Sequence, residues 1–296
     1  AKQCFHWMED HFHDQEKGGY FNYVTREGIS YAQKDKFNIN FFTDDLWLKV
    51  GFKYKDYNTS IHIMESFTAL YKVWPNKVLK MRLEEIIAIV RDTMVTERGY
   101  LNMFFTEDWN HITLQDSSKH YLMENSWLDH VSFGHDMETA FLLLETEAAL
   151  KSSNTEKTYR TAQKMIDHSL TKGFDKNYAG IFYSGYYFQD DSLTIINKSK
   201  EWWCQAEGLN ALLIFTILEP GKENYKEAFY RLWNYIKKYV IDKKHGGWYK
   251  RGVDQNKEAN RKLNKVSPWK CCYHNYRALS NCIDMLQNGK VNFLHN

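Results

Sequence analysis

Proline and glycine are scarce in this sequence, which has 3 prolines and 15 glycines among its 296 residues. A collagen-like chain or a low-complexity disordered segment would be far richer in both residues. The hydrophobic fraction is 43%, and a chain of this length and composition can bury a large core. The composition therefore indicates a folded globular protein.

Long hydrophobic runs and an excess of charge of one sign are also missing. The longest apolar runs, such as Ala211–Leu218, are far shorter than the roughly 20 residues that cross a bilayer. The 39 basic and 37 acidic side chains give a net charge of +2, which offers no electrostatic reason to bind nucleic acid or an anionic membrane. No signal-peptide pattern opens the sequence. We expect a cytoplasmic protein whose partner is a small neutral molecule.

Cysteines are few and aromatic residues are many. The five cysteines, of which Cys271 and Cys272 are adjacent, form no C-x-x-C pair, so we expect reduced thiols rather than a disulfide framework or a metal site. The aromatic fraction is 16%. Flat aromatic faces suit both a packed core and a sugar-binding site, and composition does not distinguish the two.

A glycine turn followed by alternating aromatic or apolar residues occurs four times. This recurrence indicates an internal repeat. The four turns lie at Gly18–Phe21, Gly99–Leu101, Gly180–Tyr183 and Gly246–Tyr249.

Each turn lies between two segments with helical periodicity. The segment before each turn is amphipathic and has a polar face, which predicts an outer helix. The segment after it is more apolar, which predicts an inner helix covered on several sides. The predicted outer helices are Cys4–His13, Val78–Met94, Thr155–Leu170 and Tyr225–Val240. The predicted inner helices are Thr59–Val73, Gly134–Leu150, Trp202–Leu218 and Pro268–Leu286.

Helical hairpins with inner and outer members predict an all-α protein of the (α/α)6-barrel class. Such a barrel closes with six hairpins, and this sequence supplies about four. The first residue is Ala1, already inside a helical pattern, so we expect a single α/α-barrel domain over residues 1–296 that lacks its N-terminal part. The alternative is an open arc of four hairpins, which would leave apolar ends exposed.

Histidines recur at the starts of three predicted inner helices: His62, His135 and His274. Equivalent positions in different hairpins face one end of a barrel, so we expect these three side chains to converge. Asn58 is a candidate N-cap in front of His62. Glu138 lies three residues after His135, on the same helix face.

Several chemistries are compatible with these residues. Three histidines can bind zinc, but they come from separate helices without a paired ligand spacing. Nucleophile elbows and phosphate-binding glycine loops are missing from the sequence. Glu138 and Glu207 are a candidate carboxylate pair for glycoside hydrolysis. Neutral histidines on two sides of a pocket suit the removal and return of a proton on carbon.

The motifs at these helix starts resemble those of the cellobiose 2-epimerases in the N-acylglucosamine 2-epimerase superfamily. Two neighbouring positions depart from the family pattern, with Ser60 in place of a histidine and Cys272 in place of a proline. An arginine that the family carries in its early helices has no counterpart here. The matching motifs are Asn58–His62 with Glu65, Phe133–Glu138, Trp202–Glu207 and Pro268–Asn275.

The resemblance implies reversible epimerisation at C2 of the reducing-end sugar of a β-1,4-linked disaccharide, without metal or other cofactor. It implies that His135 and His274 transfer the C2 proton and that His274, assisted by His62, opens the ring. Glu138 would orient His135. The implied substrate-binding residues are Asn58, Glu138, Trp203, Glu207 and Trp269.

Two other function classes share the architecture and stay open at this point. A glycoside hydrolase of the α/α-barrel type would split the disaccharide, whereas a non-catalytic sugar-binding protein would leave it unchanged. Cellobiose, β-1,4-mannobiose and lactose are equally compatible with the motifs. We expect a monomer.

Overall fold

Helices dominate the computed structural model, which describes residues 1–29, 55–188 and 192–294. Two of the helices, Lys77–Ile89 and Glu223–Tyr235, continue into π-helical turns over Val90–Met94 and Ile236–Val240. The helices are α1 Lys2–His11, α2 Tyr57–Val73, α3 Lys77–Ile89, α4 Lys119–Asn125, α5 Phe133–Leu150, α6 Thr155–Lys172, α7 Trp202–Leu218, α8 Glu223–Tyr235, α9 Lys257–Lys262 and α10 Tyr273–Asn288. The strands are β1 Lys55–Asp56, β2 Phe104–Phe105, β3 Val131–Ser132, β4 Ser184–Tyr187 and β5 Leu193–Asn197.

The predicted hairpin helices are present, with two corrections near helix starts. The last inner helix begins at Tyr273 and not at Pro268, because Ser267 and Lys270 exchange backbone hydrogen bonds of 3.2 and 3.1 Å in a separate turn. The N-cap of α2 is Asp56 and not Asn58. The Asp56 carboxylate accepts a 2.6 Å hydrogen bond from the Thr59 amide, and Asn58 lies exposed in the first helical turn.

The chain divides into two compact units. The first comprises residues 1–96, 101–130 and 149–153, and the second comprises residues 97–100, 131–148 and 154–296. The expectation of a single domain over residues 1–296 stays a prediction.

The first unit is built around α1, α2 and α3. The fully buried Phe5 ring of α1 packs edge-on against Phe67 of α2, with a centroid distance of 5.1 Å. Strands β1 and β2 pair antiparallel, and Asp56 of β1 lies opposite Phe104 of β2. This pairing holds the residue that caps α2.

The second unit is built around α7, whose residues Trp202–Phe215 are all buried. A helix that is apolar on all sides needs neighbours on all sides, and α8 and α10 pack against it. Strands β3, β4 and β5 form an antiparallel sheet in that order. In this sheet Ser132 lies opposite Ser184, directly before α5 begins.

Three of the four glycine turns share one hydrogen-bonded construction. An aspartate stands five residues before the glycine that opens the aromatic pattern, and its backbone amide donates to the carbonyl of that glycine at 2.9 Å. The aspartate side chain accepts from two backbone amides of the turn and from a lysine that follows in the sequence. The pairs are Asp14 with Lys55, Asp175 with Lys200, and Asp242 with Lys265.

These turns require backbone torsions in the left-handed region. Gly18 and Gly246 have φ values of 72° and 71°, which glycine adopts without steric penalty. At the equivalent place in the turn of Asp175 the chain has Ala179 with φ 62°.

Among the helices of the described residues, none combines the length and the apolar character that a membrane span requires. All five cysteines are free thiols.

Candidate active site

His135 lies in the first turn of α5, in the second unit. Its Nδ1 atom is 2.7 Å from the Oγ atom of Ser132, which comes from β3. The antiparallel pairing of β3 with β4 fixes Ser132, and Ser132 in turn orients the imidazole ring. One supporting partner of this histidine is therefore a neutral hydroxyl group.

The indole of Trp203 packs against two of the predicted catalytic histidines. Its ring centroid is 4.5 Å from that of His135 and 5.6 Å from that of His274. Gly134 allows this packing, because a Cβ atom at that position would lie 2.5 Å from Cζ3 of Trp203. The glycine of the Phe133–Glu138 motif therefore gives the tryptophan room beside His135.

His274 lies in the first turn of α10, and its Nδ1 atom is 2.6 Å from Oε1 of Glu207 on α7. Glu207 is fully buried, and the His274 side chain is 17% exposed. A carboxylate only accepts hydrogen bonds, so an ionised Glu207 places the ring proton of neutral His274 on Nδ1. Nε2 is then the nitrogen with the lone pair that can take a proton.

Glu138 and Glu207 are both joined to Arg277, one helical turn after His274. The Nη2 atom of Arg277 lies 2.8 Å from Oε1 of Glu207 and also donates to Oε1 of Glu138. The Glu138 carboxylate is 3.8 Å from Nδ1 of His274. Glu138 thus takes part in the His274 cluster, and its predicted role in orienting His135 stays a prediction.

Glu138, Glu207 and His274 bring polar atoms close together in this cluster. The candidate ligand atoms of Glu138, Glu207 and His274 all lie within 4.8 Å of one another. Arg277 already supplies a permanent positive charge to both carboxylates, because its guanidinium group stays protonated at any physiological pH. Arg277 therefore supplies the positive charge that balances these two carboxylates.

Tyr183 contributes a second aromatic wall. Its ring meets Trp203 edge-on, with a centroid distance of 6.1 Å. Burial raises the pKa of Tyr183 to about 12, so the hydroxyl stays neutral and can donate a hydrogen bond.

The motif around His62 lies in the first unit, on α2. The Nδ1 atom of His62 is 3.1 Å from Oε2 of Glu65, one turn further along the helix. Ser60, in place of the histidine usual in the family, is buried and donates to the Asp56 carbonyl. The convergence of His62 and Asn58 with the residues of the second unit stays a prediction.

Trp269 and Lys270 belong to the turn before α10. The Trp269 side chain is 80% exposed, whereas Lys270 is 6% exposed, with its ammonium group 5.3 Å from the Trp202 ring centroid. Burial lowers the pKa of Lys270. An exposed indole beside the His274 motif is free to meet a ligand, and its role as a sugar platform stays a prediction.

Sequence reasoning missed Ser132, Tyr183 and Arg277. Arg277 carried a signal, since a basic residue three positions after His274 shares its helix face. Ser132 and Tyr183 carried no such signal, because Ser132 is placed by strand β3 and Tyr183 by the turn directly before strand β4.

The family model of N-acylglucosamine 2-epimerase (GlcNAc 2-epimerase) matches residues 41–278. The chain belongs to this family. Among its curated relatives are the cellobiose 2-epimerases of Bacteroides fragilis, 28% identical over 97% of this chain and 64% of the relative, and of Ruminococcus albus, 27% identical over 94% of this chain and 64% of the relative. The chain thus spans just under two thirds of the length of these epimerase family members.

Solved structures confirm the predicted α/α-barrel class for this family member. The structure of cellobiose 2-epimerase from Bacillus thermoamylovorans has a TM-score of 0.73 with this chain, at 23% identity, and the match covers 97% of this chain and 64% of that one. A crystal structure of D-mannose isomerase is equally similar, with a TM-score of 0.73 at 21% identity and the same 97% coverage of this chain. That match covers 65% of the isomerase chain.

Proposed function

We propose that this protein catalyses reversible epimerisation at C2 of the reducing-end glucose or mannose unit of a β-1,4-linked disaccharide. The observation that carries the proposal is the placement of His135 and His274 against the same indole, Trp203. Two imidazoles beside one aromatic platform can address both faces of a sugar carbon that lies there. Membership of the N-acylglucosamine 2-epimerase family supports the same reaction class.

The proposed reaction begins with the opening of the sugar ring. Nε2 of His274, assisted by His62, takes the proton of the C1 hydroxyl and delivers it to the ring oxygen, so that the bond between C1 and the ring oxygen breaks and the aldehyde forms. The open chain then exposes an acidic C2 hydrogen next to the carbonyl group. Each positioned proton transfer of this kind contributes a factor of about 10² to 10⁴ in rate.

The second stage inverts C2 through a cis-enediol. One of His135 and His274 removes the C2 proton, the electrons of that C–H bond form the C1–C2 double bond, and the electrons of the carbonyl bond move to the C1 oxygen, which takes a proton from water. The C1 oxygen returns this proton to water when C2 is protonated again and the carbonyl group re-forms. Rotation about C2–C3 then presents the other face of C2 to the second histidine, which returns a proton. No electron leaves the sugar, so the reaction requires neither an oxidant nor a reductant.

Different partners support the two proposed bases. His274 has the carboxylate of Glu207 on Nδ1, which stabilises the imidazolium formed when Nε2 takes a proton. His135 has the Ser132 hydroxyl on its Nδ1 atom. The two histidines are therefore not equivalent, although both can exchange a proton with C2.

Three of the remaining predicted residues, Trp203, Trp269 and Asn58, are assigned to substrate binding in this proposal. Trp203 and the exposed Trp269 stack on sugar rings, because apolar sugar faces pack on indoles. Asn58 contacts a sugar hydroxyl. Glu138 and Glu207 act mainly through His274 and Arg277, since both carboxylates are fully buried.

Glycoside hydrolysis is less well supported by the same residues. A hydrolase needs one carboxylic acid that reaches the glycosidic oxygen and a second carboxylate that faces the sugar. Glu138 and Glu207 have no exposed side-chain surface, and both pair with Arg277. This burial keeps both carboxylates away from an incoming sugar.

The test is incubation of the full-length protein carrying this sequence with cellobiose, β-1,4-mannobiose or lactose in D₂O. We expect an isomer of equal mass, with deuterium at C2 of the reducing-end sugar by NMR. Release of monosaccharide would replace the proposal by hydrolysis. Tight disaccharide binding without any C2 exchange would indicate a non-catalytic sugar-binding protein.

A further inference from the structure

Arg277 occupies the centre of the polar cluster beneath His274. It follows His274 by three residues on α10, and its Nη2 atom bridges Oε1 of Glu207, at 2.8 Å, and Oε1 of Glu138. Its guanidinium carbon lies 4.4 Å from the Tyr273 ring centroid and 5.0 Å from that of Phe141. The aromatic contacts hold the planar group in one orientation.

The two buried glutamates require a positive charge at position 277. Both side chains have no exposed surface, and their carboxylates lie close together. Two neighbouring buried carboxylates cannot both stay ionised without a compensating cation, because desolvation and mutual repulsion favour protonation of one of them. An arginine is the side chain that always carries its charge and can donate to both.

The charge state of Glu207 determines the protonation pattern of His274. As a carboxylate, Glu207 accepts the Nδ1 proton of His274 and leaves Nε2 basic. As a neutral carboxylic acid, Glu207 would donate to Nδ1, and the ring proton would move to Nε2. A neutral imidazole with its proton on Nε2 cannot remove a proton from C2 through that nitrogen.

We propose that Arg277 is a positioning residue that keeps Glu138 and Glu207 ionised and thereby holds His274 in the form with its proton on Nδ1. This assignment rests on the epimerase function proposed above and adds a requirement to it. Arg277 does not touch the sugar in this scheme. It acts through Glu207 on His274.

The other titratable groups near the cluster supply no positive charge that could replace that of Arg277. Burial raises the pKa of Cys204 and raises that of Cys282 to about 12, so both stay neutral thiols. Arg277 donates to the Tyr273 hydroxyl. The titratable or charged groups of α5, α7 and α10 that the cluster involves are Glu138, Cys204, Glu207, Tyr273, His274, Arg277 and Cys282.

The first test reads the ring of His274 directly. Long-range ¹H–¹⁵N correlation spectra of the full-length protein report which ring nitrogen carries the proton. In the wild-type protein we expect the proton on Nδ1 at neutral pH. In Arg277→Gln we expect the ring proton of His274 on Nε2. Arg277→Lys keeps the positive charge but lacks the planar guanidinium group, and we expect it to restore part of the population with the proton on Nδ1.

Arg82→Gln is the matched control. Arg82 also bridges two glutamates, with 2.6 Å to Glu9 and 3.0 Å to Glu85, and its side chain is 17% exposed against 14% for Arg277. It lies in the first unit. We expect its loss to lower stability as a broken ion pair does, while the His274 spectrum stays that of the wild type.

The second test is the pH profile of kcat. At neutral pH we expect Arg277→Gln to lose a factor of about 10² to 10⁴, the size of a lost proton-transfer contribution. The loss of kcat becomes smaller as the pH rises, because hydroxide removes the proton that Glu138 and Glu207 share in this variant. KM stays within about threefold, and Arg277→Lys recovers part of kcat.

The outcomes separate the two proposals. A folded Arg277→Gln protein with the His274 proton still on Nδ1 and with the wild-type pH profile overturns the positioning role, whatever its stability. A wild-type protein that exchanges no hydrogen at C2 overturns the proposed function. The NMR measurement decides the role of Arg277 in either case, because it needs no turnover.

Discussion

The Nδ1 atom of His274 lies 2.6 Å from Oε1 of the fully buried Glu207, whereas Nδ1 of His135 lies 2.7 Å from the hydroxyl of Ser132. One proposed base thus has an anionic partner and the other has a neutral partner. Protonated His274 gains a charge-assisted hydrogen bond, and protonated His135 has no such partner in Ser132.

The first prediction concerns these two histidines. We expect His135→Ala and His274→Ala each to lower net epimerisation by a factor of about 10² to 10⁴. The double variant loses little more than either single variant, because a proton removed without one returned to the other face gives no product. Product analysis by NMR, with the exposed His120→Ala as control, measures the effect.

Hydrogen exchange refines this prediction. A variant that retains one base can still introduce deuterium at C2 of the unchanged sugar in D₂O. The surviving histidine removes the C2 proton and returns a deuteron from the solvent to the same face of C2. Full epimerisation in either single variant would contradict the two-base assignment and favour one histidine that serves both faces.

The second prediction concerns Gly134. A methyl group there would lie 2.5 Å from Cζ3 of Trp203 and 2.7 Å from Sγ of Cys204, closer than packed atoms approach. We expect Gly134→Ala to lower the free energy of unfolding by about 1 to 3 kcal/mol and to reduce kcat, because Trp203 must move. Urea unfolding and steady-state kinetics measure the two effects.

Gly221→Ala is the control for that experiment. A methyl group at Gly221 meets no heavy atom within 4 Å. We expect the control to change the free energy of unfolding by less than about 1 kcal/mol. Equal behaviour of the two variants would mean that the start of α5 does not require a glycine.

The third prediction isolates backbone strain in a glycine turn. A methyl group at Gly246 also meets no heavy atom within 4 Å, but φ is 71° there. We expect Gly246→Ala to be less stable than Gly221→Ala by about 1 to 2 kcal/mol, the cost of a left-handed torsion for an L-residue. Chemical denaturation of both variants gives this difference, and a value near zero would contradict the turn geometry.

The fourth prediction is a pH dependence of stability that depends on His168 of α6. Burial, reinforced by the charges of Lys172 and Arg98, lowers the pKa of His168 to about 4. Between about pH 6.5 and pH 4 the unfolded chain binds a proton at this residue and the folded chain does not, so stability falls as the pH falls. The loss reaches about 3 kcal/mol at the lower end.

The measurement compares urea unfolding of the wild type, His168→Gln and the control His120→Gln at pH 7.5, 6 and 5. His120 has an 85% exposed side chain. We expect the pH dependence to weaken only in His168→Gln. Parallel curves for all three proteins would show that His168 takes its proton in the folded state.

The sequence predicts most of the helices for identifiable physical reasons. Helix α7 was predicted at its observed bounds because its apolar residues cover every face and polar or turn-forming residues flank it. The sequence predicts that α10 begins at Pro268, because proline suits the first position of a helix. This start is five residues too early. A local turn between Ser267 and Lys270 delays the helix, and such a turn depends on contacts that helical periodicity does not encode.

Local spacing in the sequence indicates candidate site residues but not the hydrogen-bond partners that the structure gives them. The spacing of His135 and Glu138 on one helix face predicts a pair, and nothing in that spacing indicates the bond of the Glu138 carboxylate to Arg277, which is 139 positions away in the chain. Long-range pairing of this kind is decided by which helices pack together. Local spacing alone therefore assigns candidate residues and not their hydrogen-bond networks.

The aspartate and lysine pairs of the glycine turns separate two requirements on each hairpin. Asp14, Asp175 and Asp242 hold three turns with the same backbone bonds, whereas the residues proposed for chemistry differ from one hairpin to the next. Each of these turns is closed by its own aspartate and lysine, without any of the residues proposed for chemistry. The side chains at the helix starts can therefore differ between hairpins while the turn that joins the helices keeps its geometry.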